Sequence, residues 1–225
     1  MRLSIVIPFF NERDILADLF KQMAEIDLPY ELILVDDGST DGGSALAREL
    51  AAGAGARYVG MSPNRGKGSA IRRGIQEASG EYLVIKDADL EQDPHDIERM
   101  WQTLQQGNFD AVFGSRILSW PQAYDIRHTA NLIMTLAVDM LAKGQLSDIM
   151  TGYKMVRTDL LRSLNLSSNG FDIEPEICVK LLKRGVAIKE VPVYYQPRTI
   201  SQGKKIRARD FFKVIWATVR HRFFS

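Results

Sequence analysis

Along the first half of the chain, short apolar runs alternate with stretches whose apolar residues recur at helical spacing. Leu3 to Ile7 reads as a first strand ended by Pro8, and Ile15, Leu16, Leu19, Phe20 and Met23 then mark a helix. Glu31 to Val35 is a second strand, followed by a helix with Ala45, Leu46 and Leu50 inward. Arg57 to Gly60 is a third, followed by a helix through Ile71 and Ile75. Tyr82 to Ile85 is a fourth, leading to a helix with Ile97, Met100 and Leu104, and Asp110 to Gly114 is a fifth. Strands alternating with helices of this length predict an α/β fold: a mostly parallel central sheet with helices on both faces.

The second half is less regular. The segment LIMTLAVDML, within Ile126 to Leu141, is apolar on most faces and suits either a core helix or a surface that meets lipid. Asp148 to Val156 (DIMTGYKMV) and Gly170 to Leu182 (GFDIEPEICVKLL) follow, the latter entering a helix near Glu174. Ala187 to Tyr195 reads as a strand leading to Pro197-Arg198. From Arg209 to Phe224, Phe211, Phe212, Ile215, Trp216 and Val219 alternate with Arg209, Lys213, Arg220 and Arg222. That pattern suits a helix lying in a membrane interface, or one docked on its own domain or a neighbouring subunit.

Charge sharpens this division. Of 29 Lys/Arg, eight fall in residues 198–225 beside a single acid, Asp210, while the first 197 residues sum to −6. The boundary is therefore drawn as a catalytic domain over 1–200 and a basic amphipathic segment over 201–225. Its aromatics follow a helical apolar pattern rather than a stacking platform, so nucleic acid is not an expected partner. A single cysteine, Cys178, allows no intrachain disulfide and fits a reducing compartment. The opening MRLSIVIPFF has too short an apolar run for a secretory signal, and no run of 18 apolar residues is present.

In parallel sheets ligands bind outside the carboxyl ends of the strands. Here those ends carry Pro8 to Glu12, Asp36-Asp37, Asp87-Ala88-Asp89 and Ser115-Arg116, so the unusual polar chemistry falls on one edge. Asp87, Asp89 and Glu91 stand at alternate positions after a strand and would repel one another without a counter-charge. Oxygen-only ligands of this kind suit a hard cation, Mg²⁺ or Mn²⁺, shared with substrate phosphates. An acidic turn capping the helix behind Pro94 is the plainer alternative, and it accounts for Asp93 but not for Asp87 and Asp89. Asp36 and Asp37 precede glycine and also suit a tight turn, a role that one of the two serves alone. A dinucleotide fold would place G-x-G-x-x-G where the chain reads PFFNER. Between Gly60 and Gly66 lie five residues rather than four, and Gly68 follows Lys67, so a P-loop is not supported either.

The stretches MRLSIVIPFFNE (1–12), VDDGSTDG (35–42), NRGKGSA (64–70), KDADLEQDP (86–94) and Gly114-Ser115-Arg116 resemble family 2 glycosyltransferases of the GT-A fold. Thr151 to Lys154, Gly170 to Glu176 and Glu190 to Lys205 are similar to the dolichol-phosphate mannosyltransferase branch, which makes polyprenyl-phosphate sugars. The likeness covers essentially the whole chain. It implies an inverting hexosyltransferase, using GDP-mannose or a UDP-sugar and a dolichyl or undecaprenyl phosphate. By the same resemblance, Pro8, Phe10, Glu12, Val35 and Asp37, with Asp36 beside them, line the pocket for the donor's base and ribose. Lys67, Asp87, Ala88 and Asp89 also meet the nucleotide sugar, and Asp87, Asp89 and Glu91 hold the metal. Arg116, Arg127, Arg198 and Lys204 meet the lipid phosphate and the leaving diphosphate, with Asp89 among the catalytic groups, and Glu176 falls at an acidic helix position of the family. An enzyme of this kind is expected to be cytoplasmic and peripheral, held to the membrane's cytoplasmic face by the basic segment, with a separate membrane protein as a further partner.

This chain departs from the family pattern at Glu91, where relatives often carry Gln, and at Gly152-Tyr153-Lys154 and Gly203-Lys204-Lys205. The last two bear on the acceptor. A family 2 enzyme acting on a sugar hydroxyl would need a carboxylate base, for which Asp148, Asp172 and Glu174 are the candidates. A nucleotidyltransferase also uses paired Asp on an α/β sheet, but its glycine- and lysine-rich loop after the first strand is missing here.

Overall fold

The computed structural model describes residues 2–107, 109–119, 134–136, 145–197 and 220. Its strands are β1 (Leu3–Phe9), β2 (Tyr30–Asp36), β3 (Arg57–Gly60), β4 (Tyr82–Ile85), β5 (Ala111–Ser115), β6 (Lys154–Arg157) and β7 (Ile188–Pro192). The helices are α1 (Leu16–Ala24), α2 (Gly43–Ala54), α3 (Lys67–Glu77), α4 (His95–Gly107), α5 (Arg116–Ser119), α6 (Thr158–Ser163) and α7 (Ile173–Lys183). The strands form one sheet in the order β3-β2-β1-β4-β6-β5-β7, parallel except at β6, which runs against both β4 and β5.

Alternation along the strands sorts two cores. Leu3, Ile5 and Ile7 of β1, Leu32 and Leu34 of β2 and Val84 of β4 face α1, α2 and α4, meeting Leu19, Ala47 and Trp101. Val6, Ile33, Val35, Leu83 and Ile85 face the other way, meeting Ile71 and Ile75 of α3 and Ile173 and Ile177 of α7. Strands covered on both faces read as continuous apolar runs, which is why LSIVI and YLVI were legible.

Two strand ends and one whole strand depart most from the sequence reading. β1 continues through Pro8 to Phe9. Registered pairing with β4 ends at Val6↔Ile85, and the Lys86 N–H closes on the Val6 carbonyl. Pro8 shares the direction of Val6, so its missing N–H points past the end of β4 and no ladder bond is lost. β7 stops at Pro192, and only an isolated bridge from Tyr195 to Gln92 lies beyond. β6 is a strand the apolar pattern did not show: four residues, bounded by Lys154 and Arg157, wedged between two parallel strands. Of the remaining expectations, the helices over 126–141 and 209–224 lie outside the described residues, apart from Met134–Leu136 and Arg220, which are helical. Asp93 does cap α4: its Oδ1 accepts the His95 N–H at 2.9 Å.

Candidate active site

The carboxyl ends of β1 and β2 continue into two loops held to each other by short polar side chains. Asn11 adopts a left-handed backbone conformation (φ 52°), which asparagine tolerates better than most residues. Its Oδ1 accepts the Thr40 N–H at 2.8 Å, and its own N–H donates to Ser39 Oγ at 2.9 Å. Asp36 is buried. It accepts the Ser39 N–H at 2.8 Å and the Tyr58 hydroxyl at 2.8 Å, and also the Ser44 hydroxyl. Burial would raise its pKa, but these bonds outweigh it and hold it below the usual carboxylate range. Asp36 is thus the acid that serves the turn. Asp37, also buried, reaches across to the loop before α3, accepting the N–H groups of Arg65 (2.9 Å) and Gly66 (2.6 Å). Of the other residues expected at the base and ribose, Phe10 and Glu12 are partly exposed, while Pro8 and Val35 are buried. Val35 has no exposed surface and supports the site from the α3 side.

The loop before α3 is fixed from its far side as well. A Cβ on Gly66 would stand 2.3 Å from the Asn169 carbonyl oxygen, so only glycine lets these backbones touch. The 167–170 segment is held in turn by Glu176, which is buried in α7 and accepts the N–H groups of Ser167 (2.9 Å) and Ser168 (2.8 Å). Glu176 therefore acts through the loop it anchors. The arrangement delivers Lys67, the first residue of α3, into the acid centre.

That centre begins where β4 ends. Leu90 takes a left-handed conformation (φ 56°), at a cost of about 1 kcal/mol, and the turn brings the Glu91 N–H to Asp89 Oδ1 at 3.2 Å. Asp87 Oδ1 lies 2.6 Å from Lys67 Nζ, and the same ammonium lies 2.6 Å from Glu174 Oε1. On its other side Asp87 meets Gly152, where an added Cβ would come within 2.5 Å of Asp87 Oδ2. Beneath sit two lysines with almost no exposed surface. Lys86 Nζ donates to the Asp87 carbonyl at 3.1 Å, and Lys154 Nζ donates to the carbonyls of Ile149 (2.9 Å) and Thr151 (2.5 Å). Burial lowers the Lys86 pKa, opposed by the charges of Asp89, Asp87 and Asp93. Burial alone would raise Asp87, but Lys67, Lys86 and Lys154 together hold it below the usual range. Asp89 is less well guarded: burial, then Asp87 and Glu91, push it up to about 6 against the Glu91 N–H and Lys86.

Glu91, buried, links this centre to the arginine expected at the phosphates. Its carbonyl accepts the Gln196 N–H at 2.8 Å, and its carboxylate adjoins the Tyr195 phenol. The Arg116 guanidinium lies 4.9 Å over the Tyr195 ring and makes a two-pronged pair with buried Asp148, at 2.7 and 2.8 Å. Burial would lower the Arg116 pKa, but Asp148 outweighs it and keeps the charge fixed. Asp148, a candidate base in the hydroxyl-acceptor reading, is thereby committed to Arg116. Asp172 accepts the Gly170 N–H at 3.0 Å. Glu174 keeps one buried oxygen, Oε2, with no hydrogen-bond partner among the described residues.

The structure thus gathers Lys67, Asp87, Ala88, Asp89, Glu91 and Arg116 around one edge, with Asp36 and Asp37 building the neighbouring loops. Arg127, Arg198 and Lys204 lie outside the described residues, although the chain leading to Arg198 passes Gln92 at Tyr195. Sequence reasoning did not assign roles to Lys86, Lys154, Gly152 or Tyr195. A lysine closing an otherwise apolar strand, as in YLVIK, is the signal that points to the first of them.

Three carboxylates that repel one another are the donor set a hard divalent ion suits. Among the described residues no group of three His, Cys, Asp or Glu side chains is close enough to hold one unaided. Asp87, Asp89 and Glu91 are thus not drawn together into a closed three-carboxylate site, and an ion held there would need oxygens from a substrate as well. No described helix is long and apolar enough to cross a membrane.

Comparison with known proteins places this edge in context. The family model for glycosyl transferase family 2 matches residues 4–164. A dolichol-phosphate mannosyltransferase of Pyrococcus furiosus is 29% identical over 223 residues, 96% of this chain and 62% of that one. An undecaprenyl-phosphate 4-deoxy-4-formamido-L-arabinose transferase of Edwardsiella ictaluri is 29% identical over 207 residues, 89% and 62% of the two chains. This chain thus spans 62% of the length of both curated relatives. The crystal structure of Mycobacterium tuberculosis glucosyl-3-phosphoglycerate synthase with Mn²⁺, UDP-glucose and phosphoglyceric acid superposes with a TM-score of 0.72. At 21% identity it covers 98% of this chain and 79% of that one, and it shares the GT-A fold.

Proposed function

The chain belongs to glycosyl transferase family 2, and we propose that it moves a sugar from a nucleoside-diphosphate sugar, GDP-mannose or a UDP-sugar, onto a polyprenyl phosphate. The observation that carries this reading is the junction of the acid centre with a fixed cation: Glu91, Tyr195 and Arg116 form one contact chain beside Asp87 and Asp89. The names of the relatives, dolichol-phosphate mannosyltransferase and undecaprenyl-phosphate transferase, support the lipid-phosphate acceptor.

The donor's base and ribose sit over the loops that Asp36, Asp37 and Asn11 hold in shape, between Phe10 and Glu12. Lys67 stands where the diphosphate enters. Asp87, Asp89 and Glu91 would hold Mg²⁺ or Mn²⁺, whose charge stabilises a departing diphosphate. The acceptor, a phosphate monoester with a second pKa of about 6, arrives mostly as the dianion and is already a nucleophile. It needs no carboxylate base, which agrees with Asp148 being committed to Arg116. The work left to the protein is to bring two anions together. Arg116, with Arg127, Arg198 and Lys204 from segments outside the described residues, neutralises them, and a planar guanidinium grips phosphate oxygens in pairs. In-line attack on the anomeric carbon inverts it, so an α-linked donor gives a β-linked product. The basic 201–225 segment holds the enzyme at the cytoplasmic membrane surface, alone or with a separate membrane protein.

The test gives the full chain Mn²⁺ or Mg²⁺, UDP- and GDP-sugars in turn and a polyprenyl phosphate, and measures sugar in the organic phase. Lipid-linked sugar absent with Asp89→Ala supports the reaction and names the donor. Donor turnover or binding without lipid product refutes the acceptor and redirects the search to hydroxyl acceptors, with Glu174 and its unpartnered oxygen as the base to test.

A further inference from the structure

We propose that Lys67 is an internal stand-in for the divalent cation: its ammonium occupies Asp87 in the donor-free enzyme, and withdraws onto Glu174 to let Asp87 ligate the ion. Metal binding is thereby made conditional on the nucleotide. This rests on the donor and metal reading above.

Two independent features carry it. First, one ammonium bridges two carboxylates at 2.6 Å each, one at the centre's first acid and the other on α7, outside the acid triplet. A carboxylate already compensated by a full positive charge at contact distance has little left for a second cation. Second, Glu174 is almost fully buried, yet its Oε2 has no partner among the described residues. Such an oxygen is costly where it stands. It gives Glu174 spare acceptor capacity to take the whole ammonium when Asp87 is called away. The backbone under Lys67 is held at Gly66 by Asp37 on one side and packed against Asn169 on the other. The exchange is therefore a side-chain movement only, with Phe171 beside the ammonium at 5.5 Å from its ring centre. A nucleoside diphosphate supplies what tips it, since its phosphates bring further metal ligands beside Asp87.

The experiment measures Mn²⁺ binding by the full chain, from the loss of the free-ion electron paramagnetic resonance signal, without nucleotide and with UDP or GDP. The wild type should bind Mn²⁺ weakly alone and more tightly with one of the nucleotides. Lys67→Met should bind Mn²⁺ alone on the order of tenfold or more tighter than the wild type, the effect of removing one adjacent like charge. Lys67→Arg should stay close to the wild type. Glu174→Gln, which leaves Lys67 only Asp87, should weaken Mn²⁺ binding with nucleotide several-fold. A general disturbance of the site would move both neutralising variants the same way, whereas the stand-in moves them in opposite directions. Mn²⁺ binding with nucleotide that Lys67→Met leaves unchanged, with none gained alone, overturns the inference and spares the metal reading. No Mn²⁺ bound by any of these proteins with either nucleotide overturns both.

Discussion

Two pairs of aspartates leave β2 and β4, the strands on either side of β1, and are compensated in opposite ways. Asp36 ends β2 and Asp37 follows it, and both are met by backbone N–H groups, partners that cannot leave without unfolding a loop, Asp36 by two hydroxyls besides. Asp87 and Asp89 follow β4 and are met by ammonium groups on side chains, or by one another. On the proposed reading, fixed partners make a scaffold, and exchangeable partners make a site. The same residue type, at equivalent places on the same edge, is thus assigned its role by whether its counter-charge can move.

The comparison can be broken from either side. The largest effect is expected at Asp89→Ala, which should lower transfer by more than about 100-fold, typical of losing a group at the reacting charge. It should shift the melting temperature by less than about 3 °C, since among the described residues the side chain's one hydrogen bond is from the Glu91 N–H. Asp36→Ala should do the reverse. It strands the Ser44 and Tyr58 hydroxyls and the Ser39 N–H, and should cost about 2–3 kcal/mol in denaturant titrations. Gly152→Ala should fall between, since its methyl must push Asp87 aside. Transfer should drop roughly tenfold, the scale expected for misplacing a reacting group by part of an ångström.

The smallest effect is in pH. Asp36 is held below its unfolded pKa, so its contribution is present above about pH 4 and fades only as pH falls further. Asp89 is raised to about 6, so its contribution has the opposite sign. It is complete below the unfolded value and lost as pH rises through about 6. Metal-free protein should therefore gain on the order of 1 kcal/mol from this group between pH 7 and pH 5, measured by denaturant midpoint, and Asp89→Asn should abolish that gain.

The scaffold half was legible because its signals are local. Apolar runs buried on both faces announce the strands, and Asp-Asp-Gly and Asn-Arg-Gly-Lys-Gly announce loops at their ends. The lysine floor was not legible. Lys154 begins a four-residue strand whose neighbours are β4 and β5, distant in sequence, and nothing nearby says that its ammonium will find two carbonyls under Asp87. Arg116 was found from its place after β5, but its commitment to Asp148 depends on a contact 32 residues away. Cys178, legible only as an unpaired cysteine, is a buried core residue of α7, its thiol pushed up to about 12 by burial.

The antiparallel β6 has a consequence for anyone wishing to recombine these enzymes. It is the mortar between β4 and β5, and it brings Lys154, with Gly152 just before it, against the Asp87 end of β4 from the second half of the chain. A graft exchanging the second half for that of another enzyme would replace the floor under Asp87 along with the acceptor surface of the proposed reaction. A fragment ending before residue 150 would leave β4 and β5 without the strand they share. On the proposed reading, donor and acceptor preference are one inheritance, and a transplant of one carries a share of the other.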